Sequence, residues 1–297
     1  DIDDNAFLRS FDGLGGSTTA QSDMTFGNLS ILDGWSVTIG ADTTTVVDGA
    51  ITVDSTSALM NRGTLTRPNG TPDTLTINGD YTQTESGTLQ LQISGTGAFD
   101  HVAVTGNVSL DGTLELLLDS GFAPNYGDAF QILNFGDNEN QTTFDQITGL
   151  QINQDMFLAL VYEDDPRLAI PGFDHIQIEG ATLVAALVGD LNLDGEVTGR
   201  DLSELRSNIG IFGGGWLAGD FNGDGEVTGA DLLLLRSHFG HSIPDFAINN
   251  ITQSMANSQS IAIPEPSMVM LIGVAACCWG IRRHSSGSEL NASKLIH

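Results

Sequence analysis

Thr74-Leu-Thr-Ile77, Thr88-Leu-Gln-Leu-Gln-Ile93, Val102-Ala-Val104, Val108-Ser-Leu110 and Thr113-Leu-Glu-Leu116 follow one another within a single stretch of this chain. Each run alternates apolar and polar residues, which puts one row of side chains on a buried face and the other toward solvent. Asn78-Gly79, Thr105-Gly106 and Asp111-Gly112 separate them, and Gly after a small polar residue suits a tight turn. The same grammar reaches upstream to Ser36-Val-Thr-Ile39 and Ala50-Ile-Thr-Val53. No amphipathic helix of useful length interrupts residues 1–187, so the expected class is mostly β. Strands this short and evenly spaced, with no cysteine among them, predict a β-solenoid that buries its apolar face coil upon coil. A β-sandwich is the alternative. Residues 140–187 are expected to close the stack, and Ala181-Thr-Leu-Val-Ala-Ala-Leu-Val188 reads as a buried strand.

Directly after that strand the pattern changes. Asp190-Leu-Asn192-Leu-Asp194-Gly195-Glu196-Val197-Thr198-Gly-Arg-Asp201 recurs as Asp220-Phe-Asn222-Gly-Asp224-Gly225-Glu226-Val227-Thr228-Gly-Ala-Asp231. Side-chain oxygens fall at loop positions 1, 3, 5 and 12, with Gly at position 6, a spacing that wraps hard oxygen ligands around Ca²⁺. Asp190, Asn192 and Asp194 supply short side-chain oxygens. Glu196 offers its backbone carbonyl, Thr198 acts through a water, and Asp201 closes the site. Asp220, Asn222, Asp224, Glu226, Thr228 and Asp231 repeat these roles, so the expectation is two Ca²⁺ ions. Each loop gathers three carboxylates whose mutual repulsion a cation relieves.

Helices are expected after each loop. Leu202, Leu205 and Ile209 are spaced to share one face before Gly210, as are Leu232, Leu235 and Phe239 before Gly240. The segment before the second loop, Phe212-Gly-Gly-Gly-Trp216, is too Gly-rich to predict a helix. These are loop–helix units, not helix–loop–helix hands, so sensor-type opening is not expected.

The tandem units over residues 188–242 resemble a type I dockerin domain. The repeated D-x-N-x-D-G-x-V-T-x-x-D, Asp at the closing position and the pairs Leu205-Arg206 and Leu235-Arg236 carry the resemblance. It implies calcium-dependent binding of a cohesin-like or other surface protein. Many dockerins are appended to polysaccharide-degrading enzymes. The family often carries Ser/Thr or Ala/Ile pairs just before the closing Asp, at its recognition positions. Here these are Gly199-Arg200 and Gly229-Ala230, a departure where the partner is chosen.

Residues 243–263 are polar and unpatterned and read as a linker. Residues 264–297 resemble a PEP-CTERM sorting signal. Pro264-Glu265-Pro266 is followed by an apolar run over 267–281, expected as a membrane helix, and then by Arg282-Arg283. The run is short of the roughly 20 residues of a comfortable span. The resemblance implies handling by an exosortase, transient anchoring in the inner membrane and release to the cell surface or matrix. Residues 30–135 are similar to the terminal coils of autotransporter-type right-handed β-helices. The similarity rests on Leu75–Gln83, Gly87–Ile93, Phe99–Gly106, Leu110–Leu114 and Gly127–Leu133.

The composition narrows the partners. The chain has 297 residues and a net charge of −28, so nucleic acid is a poor partner. Its two cysteines, Cys277 and Cys278, are adjacent and provide no disulfide framework for the folded part. The chain opens at Asp1 without Met or a signal peptide, which we read as part of a longer protein. Asp100-His101 and Asp174-His175 are the acid–base candidates, but neighbours on a strand point to opposite faces. The expectation is therefore an exported surface or matrix protein, non-catalytic in this portion. Two rival readings are the end of a dockerin-bearing glycoside hydrolase or lyase with upstream catalytic residues, and a binder of extracellular polysaccharide. The latter calls for exposed aromatics such as Trp35, Tyr81 and Tyr126.

Overall fold

The computed structural model describes the backbone of residues 5–8 and residues 15–70, 72–136, 142–163, 180–213 and 215–243. The alternating runs build three parallel sheets that share one interior. The first sheet stacks β1 (Asn5–Leu8), β4 (Asn28–Ile31), β7 (Ala50–Val53), β10 (Thr74–Asn78), β14 (His101–Val104) and β17 (Ala129–Asn134). The second stacks β2 (Gly16–Thr19), β5 (Trp35–Ile39), β8 (Ala58–Asn61), β11 (Tyr81–Gln83) and β15 (Val108–Ser109). The third stacks β3 (Met24–Phe26), β6 (Thr44–Val47), β9 (Thr64–Thr66), β12 (Thr88–Gly95), β16 (Thr113–Leu118) and β18 (Gln146–Thr148). The short β13 (Ala98–Phe99) folds back on β12. Successive strands in sequence thus belong to different sheets, and the Asn-Gly and Asp-Gly turns are corners of a coil. This is a β-solenoid. The sandwich alternative fails because strands one coil apart pair parallel and in register.

That register aligns like with like. Leu65, Leu89, Leu114 and Ile147 are consecutive partners in the third sheet. Leu29, Ile51, Ile77 and Val104 are partners in the first. All except Ile147 are buried. A side chain at one level of such a stack has an apolar neighbour above and below, so its removal leaves a cavity that the stiff coils cannot collapse. Leu89→Ala is expected to cost about 2–5 kcal/mol in urea unfolding. A loss under about 0.5 kcal/mol, the level of an ordinary surface change, would show that the stack does not hold the coil.

Polar residues inside the coil pair within and across levels. Tyr81 Oη donates to Gln83 Oε1 at 2.8 Å, Asn61 Nδ2 donates to Thr88 O at 2.9 Å, and Gln83 Nε2 donates to Asp111 O at 2.7 Å. Burial holds the Tyr81 phenol well above its usual pKa. Asp100 also belongs to this framework. Its carboxylate accepts the N–H groups of Gln92 at 2.8 Å and Asp73 at 3.2 Å, and Arg67 Nε lies 4.0 Å away. Burial, opposed by those N–H bonds, raises the Asp100 carboxyl, while burial lowers the imidazole of His101. Asp100-His101 is thus a corner fixed by backbone bonds. Asp174-His175 lies outside the described residues.

The stack is closed by the antiparallel hairpin β19 (Met156–Tyr162) and β20 (Ala181–Leu187), with β20 also antiparallel to β17. Every residue of β20 is buried, Thr182 included, as its nearly continuous apolar run predicts. Leu158, Leu160, Leu183 and Ala185 join the solenoid core, whereas Ala159, Val161, Val184 and Ala186 face a second core. That second core is built from the loop–helix units. No helix among the described residues is long and apolar enough to cross a membrane. The expected span over 267–281, with Pro264, Glu265, Pro266, Arg282 and Arg283, lies outside them.

Candidate calcium-binding site

Val188 and Gly189 carry the chain from β20 straight into the first loop. The helix α1 (Gly199–Asn208) follows it, a one-turn helix α2 (Gly215–Ala218) leads to the second loop, and α3 (Gly229–Ser237) follows that. The turn at α2 runs against the sequence expectation. Trp216, Leu217 and Ala218 are buried against the hairpin and override the cost of Gly215. The face expected on each helix is also shorter than the spacing suggested. Leu205 and Leu235 are buried, but α1 ends at Asn208, and Ile209 and Phe239 are half exposed. Gly210 and Gly240, at φ 91° and 87°, end the two turns as expected.

The two loops hold their oxygens alike. Asp190 Oδ2 accepts from Gly195 N at 2.9 Å, and Asp220 Oδ2 accepts from Gly225 N at 3.0 Å. Asn192 and Asn222 accept from the N–H of Asp194 and Asp224, at 3.1 and 2.9 Å. Asp194 and Asp224 accept from Glu196 and Glu226 N–H, at 3.1 and 3.0 Å. The closing carboxylates of Asp201 and Asp231 reach back across the loop to Leu191 N at 3.0 Å and Phe221 N at 2.9 Å. The Glu196 and Glu226 side chains are exposed. Thr198 and Thr228 have a role that spacing did not reveal. Each is an N-cap, in a capping box with Asp201 or Asp231 three residues on.

These donor sets fit a calcium ion. Asp190, Asp201, Asp220 and Asp231 are all at most 5% exposed. Burial is the first cause that pushes Asp190 up to about 8, with the charges of Asp194 and Asp201 acting in the same direction. Asp220 is pushed up to about 6 by burial, with Asp231 and Asp224 adding to it. The three carboxylates of each loop therefore feel one another in a site that burial makes hostile to anions. Among the described residues no three His, Cys, Asp or Glu side chains form a metal cluster unaided. Sites of this type also draw on the Asn oxygen, a backbone carbonyl and water. Here the Asn192 and Asn222 amides each donate an N–H to Asp194 and Asp224 at 2.8 Å, a neutral dipole turned toward the loop's carboxylates. Bound Ca²⁺ would offset the carboxylate charge and take oxygen ligands from each loop.

The units interlock. Gly189, before the first loop, lies against Leu235 of α3, and Gly219, before the second, lies against Leu205 of α1. Both have positive φ, at 95° and 108°, and a Cβ at either would collide with the opposite helix unit. The recurrence of Gly-Asp at the head of both loops was the available sequence signal. Val197 N donates to His241 O at 2.9 Å and Val227 N to Ile211 O at 3.0 Å, so each loop also pairs with the chain leaving the other helix.

The site extends beyond residues that spacing could find. Tyr126 Oη, from the solenoid, donates to Asp190 Oδ2 at 2.9 Å, and Trp216 Nε1 donates to Asp190 O at 2.9 Å. Burial first, then the Asp190 charge, holds the Tyr126 phenol far above its usual pKa, so it remains a donor. Ile147 N of β18 donates to Gly223 O of the second loop at 2.9 Å. His241 Nδ1 lies 3.4 Å from Asp155 Oδ1.

Comparison with known proteins assigns this part of the chain. Residues 188–240 match the family model of the dockerin type I domain. No curated protein and no solved structure matches the chain. Family match, duplicated loop geometry and a donor set suited to calcium agree: residues 188–240 are a dockerin type I domain, a calcium-dependent protein-interaction module, joined to the end of a β-solenoid.

Proposed function

We propose that this chain is an exported bacterial surface or matrix protein, non-catalytic in this portion, whose solenoid presents a calcium-ordered docking module. The observation that carries the reading is the duplication of one buried carboxylate arrangement in two loops, each leading into a capped helix. Two Ca²⁺ ions are held, one by Asp190, Asn192, Asp194, the Glu196 carbonyl and Asp201, the other by Asp220, Asn222, Asp224, the Glu226 carbonyl and Asp231. Thr198 and Thr228 set the helix starts that fix the closing carboxylates. The outward faces of α1 and α3 carry exposed Arg200, Arg206, Arg236 and Leu233, which suits a protein partner with acidic and apolar surface. A cohesin-like surface protein fits this chemistry.

The surface destination is supported by Pro264-Glu265-Pro266, the apolar run over 267–281 and Arg282-Arg283, which suit an exosortase. A polysaccharide-binding role is less well supported, because Tyr81 is buried and Tyr126 turns to Asp190. The test counts calcium bound to the metal-stripped chain by equilibrium dialysis. It then offers the immobilised chain an envelope extract with calcium and with chelator. Two ions per chain and a partner retained only in calcium are expected. Retention indifferent to chelator would overturn the docking role.

A further inference from the structure

The two loops match almost atom for atom except where they meet the solenoid. Asp220 takes its hydrogen bonds from the backbone N–H groups of Gly223, Asp224 and Gly225 alone among the described residues. Asp190 has the corresponding bonds from Asp194 and Gly195, and in place of the third backbone donor, where Leu193 stands for Gly223, it takes the phenol of Tyr126 at 2.9 Å. Tyr126 is itself held in place by the closing hairpin. Gly127 N donates to Ala185 O at 2.8 Å, and Ala185 N donates to Asp128 O at 2.9 Å. Ala185 lies on β20, the strand that leads into Asp190. A hydroxyl pinned to the strand entering the loop therefore fixes the rotation of the loop's first carboxylate.

We infer that the solenoid supplies part of the first calcium site. Tyr126 positions the Asp190 carboxylate, so that occupancy of the first loop and order of the hairpin β19–β20 rise and fall together. The inference rests on the reading of the loops as calcium sites and adds a positioning residue from outside the dockerin domain. Two structural facts support the coupling. The hairpin is sandwiched between cores, with Leu158, Leu160 and Leu183 facing the solenoid and Val161, Val184 and Ala186 facing Trp216, Phe221 and Val197. Trp216 also donates to the backbone oxygen of Asp190, so a side chain of that second core holds the backbone of the same residue. A carboxylate held by a fixed outer partner enters coordination already oriented, and loss of such a partner typically weakens metal affinity about 10–100-fold.

The test uses the full chain and separates the loops. In an Asp224→Ala background, calorimetric calcium titration reads the first loop; in an Asp194→Ala background it reads the second. Tyr126→Phe is expected to weaken the first about 10–100-fold and leave the second unchanged. No change, or an equal change in both, would overturn the inference, because a general packing defect does not choose one loop. Hydrogen exchange on the unmutated chain provides a measurement that needs no variant. Calcium is expected to slow exchange at Leu158, Ala185 and Val188 as well as within 189–243. Slowing confined to 189–243 would overturn the coupling. An unmutated chain that takes up no calcium would instead remove the reading beneath it.

Discussion

Asp201→Ala is expected to lose calcium from the first loop and also to destabilise the chelator-treated chain by at least about 3 kcal/mol. Asp194→Ala is expected to lose the same ion yet stay within about 1 kcal/mol of the parent in chelator. Both residues contribute one carboxylate to the loop, so a count of ligands predicts equal effects. Their surroundings differ. Asp201 is fully buried and accepts from Leu191 N at 3.0 Å, Thr198 N at 2.8 Å and the Thr198 hydroxyl at 3.1 Å. Truncation strands these donors away from water and removes half of the capping box of α1. Asp194 is exposed, and water can replace its bonds to Glu196 N and Asn192 Nδ2. Urea unfolding of both variants, in chelator and in calcium, checks this. Equal losses in chelator would show that Asp201 acts only as a ligand.

The second expected result concerns pH. In chelator, stability should fall as pH rises from about 5.5 to 8, the reverse of the usual carboxylate trend. The sign follows from the two first-position aspartates. Burial holds Asp190 up to about 8 and Asp220 up to about 6, against an ordinary value of 3.8 once unfolded. Between 3.8 and 6 the folded chain binds the protons of both groups and the unfolded chain neither. Between 6 and 8 it retains the Asp190 proton alone. Their contribution is complete below 3.8 and gone above 8, falling by roughly 1.4 kcal/mol per pH unit for each excess proton. Saturating calcium needs both carboxylates ionised and should reverse the slope. Acidification should empty the first loop before the second, because Asp190 takes its proton at the higher pH. Unfolding curves at several pH values in chelator and in calcium test the sign. Slopes of the same sign in both would reject the burial argument.

The strands over Ala50–Val53, Thr74–Ile77 and Thr88–Ile93 were legible because period-two alternation is local. Weaker runs were not singled out, such as Asn28–Ile31, Ala58–Asn61 and Thr64–Thr66. They are short, and only a matching coil above and below makes them strands. Asn61 illustrates this: as a residue it suggests a loop, yet inside the coil it is buried and bonded to Tyr81 and Thr88 O. The one-turn helix at Gly215–Ala218 was missed for the same reason, since Trp216 earns its place only against the hairpin.

Two features follow from local sequence: the paired twelve-residue loops with calcium-ligand spacing and the repetitive β region. In each loop the candidate ligands lie within twelve consecutive residues, and the turn at Gly195 or Gly225 brings them near one another. In the β region an alternating pattern specifies a buried face whatever covers it. Packing in three dimensions adds that the dockerin domain shares a core with the last solenoid hairpin, and that the two loops are unequal. Tyr126 and Asp190 stand 64 residues apart. No periodicity links them. They meet because β17, β20 and the first loop are brought together by burial on both faces of one strand, a long-range consequence of packing that no local spacing records.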